Sequence, residues 1–215
     1  MRKGAATRER IMEIAEASVL AKGFGATSIE EIIAEAGITK SGFFYHFRDK
    51  NELAREMLRR FIDTNNRLFD ELFGRGKELS DDPLQAFLIS LKLLAETLAD
   101  AQRSHPGCLI ASMCYQERLF DRQVVELMRR FTIDWNARLR AHIEEIAALY
   151  PPRGVDPADL AETLSCVVDG GIILARILDD PRRLERQVLA YRSFVSLAFA
   201  PAAANVRPVR MARAA

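Results

Sequence analysis

Residues 38–53, ITKSGFFYHFRDKNEL, combine aromatic and basic side chains within one short segment. Between Lys40 and Lys50 the segment places four aromatic residues beside two lysines, an arginine and a histidine. A helix buried in a core does not tolerate that many charges, and a helix surrounded by water does not expose that many rings. The segment therefore indicates a helix that packs on one side and contacts a charged partner on the other.

The residues before this segment predict a helix-turn-helix. Ser28 and Glu31 form a capping box that opens a helix of about eight residues, and Gly37 suits the left-handed position that ends it. Thr39 can cap a second short helix over 40–46. Two short helices joined by a turn of three or four residues that contains glycine are the arrangement in which the second helix enters the major groove of DNA.

The second helix has residues for both of its faces. Phe43 and Phe47 are four residues apart and form the predicted buried face. The predicted DNA-contacting residues of the outward face are Lys40, Ser41, Gly42, Tyr45 and His46. Lys50 follows at the first turn of the next helix, where backbone N–H groups and the helix dipole also favour a phosphate. Further phosphate contacts are predicted at the start of the first short helix and along the N-terminal arm, from Thr27, Ser28, Arg2, Lys3, Arg8 and Arg10.

The composition limits the classes of protein that this chain can be. It has 215 residues, 49% of them apolar, and a net charge of +1, so any electrostatic recognition must be local. Three cysteines without a CxxC pair predict neither a disulfide framework nor a zinc site and fit a reducing cytoplasm. No apolar run has the ~20 residues that a membrane span needs, and the start has no signal-peptide pattern. We therefore expect a soluble cytoplasmic protein without metal or cofactor.

Apolar residues recur at helical spacing along almost the whole chain, which predicts an all-α fold of about nine helices. The fourth helix is predicted to run from Lys50 to about Leu72. The following segment GRGKELSDDP, residues 74–83, is predicted to be a loop because it contains two glycines and a proline. The fifth helix is predicted to end near Arg103. The next three are predicted to span 108–119, 122–149 and 157–178, and the last helix is predicted to end near Phe199.

The segment 7–53 resembles the TetR family of bacterial one-component repressors, and the residues TSIEEIIAEAGITKSGFFYHFRDKNEL (27–53) carry the resemblance. The family pattern is a glycine, an aliphatic residue, a small polar run, an aromatic pair, His-Phe, and a lysine shortly before a leucine. It reads here as Gly37, Ile38, Thr39-Lys40-Ser41-Gly42, Phe44-Tyr45, His46-Phe47, Lys50 and Leu53. PGCLIAS at 106–112 resembles the start of helix six in many relatives. Where relatives commonly have a tyrosine that touches a phosphate, this chain has Phe44, which the resemblance places among the predicted DNA-contacting residues. Phe44 lacks the hydroxyl, and Tyr45 can partly replace that contact.

The resemblance implies a division of the chain and a dimer. It implies a DNA-binding domain of three helices over 1–50, a helical effector-binding and dimerisation domain over 51–200, and we expect a disordered tail over 201–215. The last two helices of each chain would form a four-helix bundle in a homodimer. The predicted interface residues on these helices are Cys166, Gly170, Ile173, Leu174, Leu189, Phe194, Val195 and Ala198. The alternative, in which both helices belong to the core of their own chain, stays open.

The same resemblance implies an effector site enclosed by helices four to seven. Its predicted lining residues are mostly apolar: Phe61, Phe69, Leu94, Cys108, Met113, Cys114, Tyr115, Phe131, Trp135 and Val168. Because few of them are polar, we expect an apolar or aromatic effector.

The leading functional hypothesis is a transcriptional repressor that a small effector releases from operator DNA. The alternative is a constitutive DNA-binding regulator or activator that needs no ligand. An enzyme would have to use His105, Cys108 or Cys114, but the sequence offers no convergent set of acid, base and nucleophile, so we expect no enzyme. The expected partners are double-stranded operator DNA, a second copy of the chain and an unidentified small molecule, with no membrane.

Overall fold

The computed structural model describes residues 3–104 and 107–200, with side chains for 4–100 and 107–200. Within these ranges the regular structure is helical: α1 Lys3–Lys22, α2 Ile29–Ala36, α3 Lys40–His46, α4 Lys50–Leu79, α5 Pro83–Ser104, α6 Leu109–Cys114, a 3-10 turn Glu117–Leu119, α7 Arg122–Ala147, α8 Pro157–Ile177 and α9 Arg182–Ala198. The all-α fold class is confirmed. Arg2, His105, the side chain of Lys3 and the predicted tail 201–215 lie outside the described residues.

The predicted caps around α2 and α3 are formed. Ser28 and Glu31 make both hydrogen bonds of a capping box, and Gly37 takes the left-handed conformation with φ of +65°. The Thr39 hydroxyl accepts a hydrogen bond from the Gly42 N–H at 3.1 Å. These local interactions fix the length of both short helices and the angle of the turn between them.

Helix α4 is longer than predicted, and the prediction of a loop over 74–83 is wrong. The helix has 30 residues, which at ~1.5 Å per residue is about 45 Å. A Cβ atom on Gly76 would lie 2.5 Å from the carbonyl oxygen of Ala86 and 2.1 Å from Oγ of Ser90. Gly76 therefore lets α4 and α5 cross closely, and it serves helix packing instead of ending the helix.

Two later helices are shorter than predicted. Helix α6 ends at Cys114, and the Leu119 N–H bonds to the Gln116 carbonyl at 2.9 Å in the 3-10 turn that follows. Helix α7 ends at Ala147, two residues before the predicted end. The tight turn after α6 points Gln116 at the loop between α1 and α2.

Two apolar cores lie along α4. The first core joins α1–α3 to Leu53, Met57 and Leu58 of α4 and to residues of α6 and the start of α7. The second core joins the distal half of α4, including Phe69, to α5, α7, α8 and α9. The domain boundary at residue 50 stays a prediction, since the first core extends beyond it. None of the helices in the described part of the chain has the length and apolar character to cross a membrane.

Candidate nucleic-acid interface

Helix α3 separates its two kinds of side chain onto opposite faces. Phe43 and Phe47 are buried, with ring centres 5.8 Å apart, as predicted. The predicted DNA-contacting residues that are exposed on the other face are Lys40, Ser41, Phe44 and Tyr45. Tyr45 is 83% exposed. α3 thus presents a cation, hydroxyls and aromatic rings on one solvent-facing surface while its other face holds it to the first core.

Gly42 and His46 lie at the border of this surface, and both are half-buried. The His46 ring packs edge-on against Tyr45, with ring centres 5.0 Å apart. It also faces the start of α1, since a Cβ atom on Gly4 would lie 3.9 Å from Cε1 of His46. These contacts orient the exposed face of α3 relative to α1. We call α1–α3, residues 3–46, the reading head.

Thr27 points away from the surface where DNA contacts were predicted. It is 2% exposed, and its hydroxyl donates to the Gly23 carbonyl at 3.0 Å and lies 2.9 Å from Oγ of Ser18. Thr27 therefore stabilises the turn between α1 and α2 and is not part of the exposed surface. Ser28 is half-buried and its Oγ accepts from the Glu31 N–H at 3.1 Å.

Lys50 lies at the start of α4, beside the loop between α1 and α2. Its Nζ donates to the Phe24 carbonyl and lies 4.2 Å from the centre of the Phe24 ring. Burial lowers the pKa of Lys50, and the charge of Glu31 opposes that change. An ammonium has three N–H donors, so two remain for a phosphate after the bond to Phe24.

The arginines predicted to contact flanking DNA bind inside the reading head or to α4. Arg8 pairs with Glu56 and lies 5.1 Å from the centre of the Phe47 ring. Arg10 donates to the Glu35 carbonyl at 3.3 Å. Both side chains therefore hold helices together in this structure.

Three side chains from the second half of the chain contact α1 and the α1–α2 turn, residues 23–28. The Gly25 N–H donates to Oε1 of Gln116 at 2.8 Å, and the Phe120 ring lies 4.4 Å from the Phe24 ring. Arg176 of α8 donates to the carbonyls of two residues in the last turn of α1. These contacts have no local signal in the sequence, because 91 or more residues separate the partners.

A partly buried ion pair adds a fourth link between the two halves. Arg55 of α4, whose side chain is 9% exposed, pairs with Asp121, and the Asp121 N–H donates to Oδ1 of Asn51 at 3.1 Å. Burial disfavours the charge of Asp121, but the Val124 N–H and Arg55 outweigh it and lower the pKa of the carboxyl. The pair holds the start of α7 against the start of α4.

The predicted effector residues do not line one pocket. Leu94 is buried in the second core, whereas Met113 is buried in the first, because α6 packs against α1. Tyr115 and Cys114 are exposed and line a groove with the 3-10 turn. Val168 packs against the second core. Cys108 is half-buried, and burial raises the pKa of its thiol to about 11.

Four of the predicted effector residues do form a continuous aromatic row between α4 and α7. Ring centres are 5.7 Å apart for Phe61 and Phe131, 6.2 Å for Phe131 and Trp135, and 5.0 Å for Trp135 and Phe69. Phe73 stacks on Phe69 at 4.1 Å. An open groove of about 390 Å³ at the Phe69 end of this row is lined by Phe69, Asp70, Phe73, Gly74, Lys77, Arg138, Ala141 and His142.

The predicted dimer residues divide into exposed and buried ones. Cys166, Ile173, Leu174 and Phe194 are exposed, and Gly170 and Leu189 are half-buried. Val195 and Ala198 pack in the second core of their own chain, so α9 cannot offer them to a partner in this conformation. Three further apolar residues at the ends of these helices are exposed and were not predicted: Ile177, Leu178 and Leu197.

The comparisons with known proteins agree with this architecture. Residues 11–57 match the sequence model described as "Bacterial regulatory proteins, tetR family". The chain is 30% identical over 77 residues to the HTH-type transcriptional repressor KstR2 of Mycolicibacterium smegmatis, covering 36% of this chain and 34% of KstR2. It is 30% identical over 111 residues to the HTH-type transcriptional regulator TtgR of Pseudomonas putida, covering 50% of each. The matched part thus spans from about a third to half of the length of these curated relatives.

The fold comparison extends over nearly the whole chain. A crystal structure of a TetR-family transcriptional regulator from Agrobacterium tumefaciens superposes with a TM-score of 0.76 at 20% identity, covering 92% of this chain and 100% of that one. At that identity the likeness concerns the fold. The helix-turn-helix at residues 11–57 therefore matches that of the TetR family of bacterial regulatory proteins, and the chain shares the fold of a TetR-family regulator.

Proposed function

We propose that the protein is a sequence-specific DNA-binding transcriptional regulator that reads the major groove with α3. The observation that carries the proposal is the division of α3 into a buried face, with Phe43 and Phe47, and an exposed face, with Lys40 and Tyr45. Lysine and hydroxyl groups bind phosphates and base edges, and exposed rings can contact thymine methyl groups.

We propose further that the regulator acts as a homodimer. An apolar patch on α8 and α9 supports this, and its large exposed side chains are Ile173, Leu174, Ile177, Leu178, Phe194 and Leu197. Contiguous apolar patches on soluble proteins mark surfaces that a partner covers. A second copy would place a second reading head on a second half-site, as single heads of this size read few base pairs.

We propose more specifically that the regulator is a repressor and that a small aromatic effector releases it from DNA. The relative KstR2 is named a repressor, which supports the sign of regulation. The aromatic row between α4 and α7 supports an aromatic effector, because aromatic pairs gain from edge-to-face and offset contacts. A ligand that separates these helices would move α4, whose other end carries Lys50. A constitutive regulator is the alternative, and it requires that no ligand of this row changes operator affinity.

The test of DNA reading uses two tyrosines that are equally exposed. Tyr45 and Tyr115 are each 83% exposed, but Tyr115 lies after α6, outside α3. In gel shifts on a sequence selected by the wild-type protein, Tyr45→Ala should weaken binding by about 1–3 kcal/mol, the usual worth of a specific base contact. Tyr115→Ala should bind like wild type. Equal binding by wild type and both variants would show that α3 does not read the DNA.

A further inference from the structure

Arg176 connects the apolar patch of α8 to the reading head. Its Nη1 donates to the Leu20 carbonyl at 3.0 Å and its Nη2 to the Ala21 carbonyl at 3.3 Å. Both carbonyls lie in the last turn of α1, where carbonyls lack partners within the helix. A guanidinium there satisfies two acceptors and also interacts favourably with the negative end of the helix dipole.

Gln116 contacts the same part of the reading head from another direction. Its Oε1 accepts the Gly25 N–H, and its Nε2 would lie 2.6 Å from a Cβ atom on Gly23. Gly23 has a φ of +85°, so a glycine is favoured there both for the backbone and for the space that the amide fills. The side chain of Gln116 thus packs against the backbone of Gly23 and Gly25, in space that a Cβ atom on Gly23 would occupy.

The two contacts lie within the reading head, at the end of α1 and in the α1–α2 turn. The α1–α2 turn is the connection between α1 and α2, and α2 leads directly into α3. Arg176 is on the same helix, α8, as the exposed residues Ile173 and Ile177. A partner packed on this face would therefore lie within about one helical turn of the residue that holds α1.

We propose that Arg176 and Gln116 are positioning residues that fix the orientation of each reading head and thereby set the half-site spacing that the dimer accepts. The inference rests on the proposed function, since it needs a dimer that reads two half-sites. Both side chains contact α1 or the α1–α2 turn, so the proposed role is to position the head and not to read bases. Each restricts the angle of its head, and a dimer with restricted heads matches one spacing better than others.

Removing either side chain should leave the head folded but less restricted. The first core, the Phe24–Phe120 ring contact and the Arg55–Asp121 pair all remain. The freed carbonyls of Leu20 and Ala21 can bond to water at the helix end. Such a variant should still bind one half-site with wild-type affinity while it discriminates less between spacings.

The experiment measures affinity for a set of duplexes that carry the selected half-sites at the preferred spacing and at one or two base pairs more or less. Wild type, Arg176→Gln and Gln116→Ala are compared with Arg75→Gln, a matched loss of charge on the exposed distal part of α4. Binding to a duplex with one half-site controls for the affinity of a single head. Light scattering of each variant controls for the dimer. Wild type and Arg75→Gln should prefer one spacing by about 10-fold or more, within the usual range of coupling between sites.

Arg176→Gln and Gln116→Ala should reduce that preference at least about threefold, with unchanged binding to the single half-site. If Arg176→Gln disturbs the dimer, Gln116→Ala, which lies outside α8 and α9, still gives the decisive comparison. The inference would be overturned if dimeric Gln116→Ala, and Arg176→Gln where it is dimeric, both kept the wild-type spacing preference. The proposed function would not be affected by that result. Failure of the wild-type protein to bind any selected DNA would instead contradict the proposed function.

Discussion

The ammonium of Lys50 lies 4.2 Å from the centre of the Phe24 ring and donates a hydrogen bond to the carbonyl of the same residue. Phe24 in turn packs against Phe120, which precedes α7. The residue expected to bind a phosphate at the start of α4 is therefore part of the contact between the reading head and the second half of the chain. A change at the start of α7 has a direct physical route to Lys50.

Lys50→Ala should weaken binding to all DNA sequences alike, because a phosphate contact carries no base information. The slope of log affinity against log salt concentration should fall by about 1 in magnitude. Lys77→Ala is the control, since Lys77 is near the other end of α4 and pairs with Glu145. A salt dependence that is identical for both variants would place the phosphate contact elsewhere.

Substitutions at two adjacent glycines of α8 test dimerisation and folding separately. A Cβ atom on Gly171 would lie 2.8 Å from Cδ1 and 3.2 Å from Cα of Leu184, whereas a Cβ atom on Gly170 would meet no described atom of its own chain within 4 Å. Gly170→Leu should therefore give a folded monomer, and Gly171→Leu should destabilise the chain by roughly 1–3 kcal/mol or more.

Light scattering and urea unfolding distinguish these outcomes. A Gly170→Leu dimer of wild-type size would mean that the partner does not cover α8 at this position. A Gly171→Leu variant as stable as wild type would mean that α8 and α9 can separate without cost.

The Arg55–Asp121 pair should make stability depend on pH. The pKa of Asp121 is lowered in the folded protein, so its contribution is complete above the unfolded carboxyl pKa of about 3.9 and is lost as pH falls through the lower folded value. Asp121→Asn should reduce the free energy of unfolding at pH 7 by about 1–3 kcal/mol, less than for a fully buried pair because Asp121 is partly exposed.

At a pH below the folded pKa of Asp121 the wild-type carboxyl is neutral too, and the two proteins should approach the same stability. Urea unfolding at pH 7 and at successively lower pH below the unfolded carboxyl pKa of about 3.9 measures whether the difference shrinks. A difference that stays constant as pH falls would show that the loss at pH 7 does not come from the charge of Asp121.

The chain has one tryptophan, Trp135, and it lies in the aromatic row. A compound that binds there and releases DNA should change the tryptophan emission at the same concentration that lowers operator affinity. Titration of small aromatic compounds with both readouts checks this. A compound that releases DNA while the emission stays constant would place the effector site away from Trp135.

The sequence predicted the parts of the structure that depend on neighbours along the chain. The capping box of Ser28 and Glu31 spans three residues, and the left-handed Gly37 needs no distant partner. Gly76 was misread because a glycine at a turn and a glycine at a helix crossing look alike in sequence. The crossing depends on Ala86 and Ser90 of another helix.

The effector residues were predicted less well for a related reason. Apolar positions of α6 look the same whether they face a pocket or another helix, and Met113 packs in the first core. The contact of Gln116 with Gly25 joins residues 91 positions apart, and only the folded chain brings them together. Phe61, Phe69, Phe131 and Trp135 lie together because α4 and α7 each repeat large rings at helical spacing.

Selection of DNA from a random pool by the purified wild-type protein shows whether the reading heads recognise a specific sequence. We expect an enriched sequence with two inverted half-sites whose centres are about one helical turn apart, ~34–36 Å. We also expect Tyr45→Ala and Lys40→Ala to lose most of the preference for that sequence over random DNA. A pool that shows no enrichment, or an enriched sequence that both variants bind as selectively as wild type, would contradict sequence-specific reading by α3.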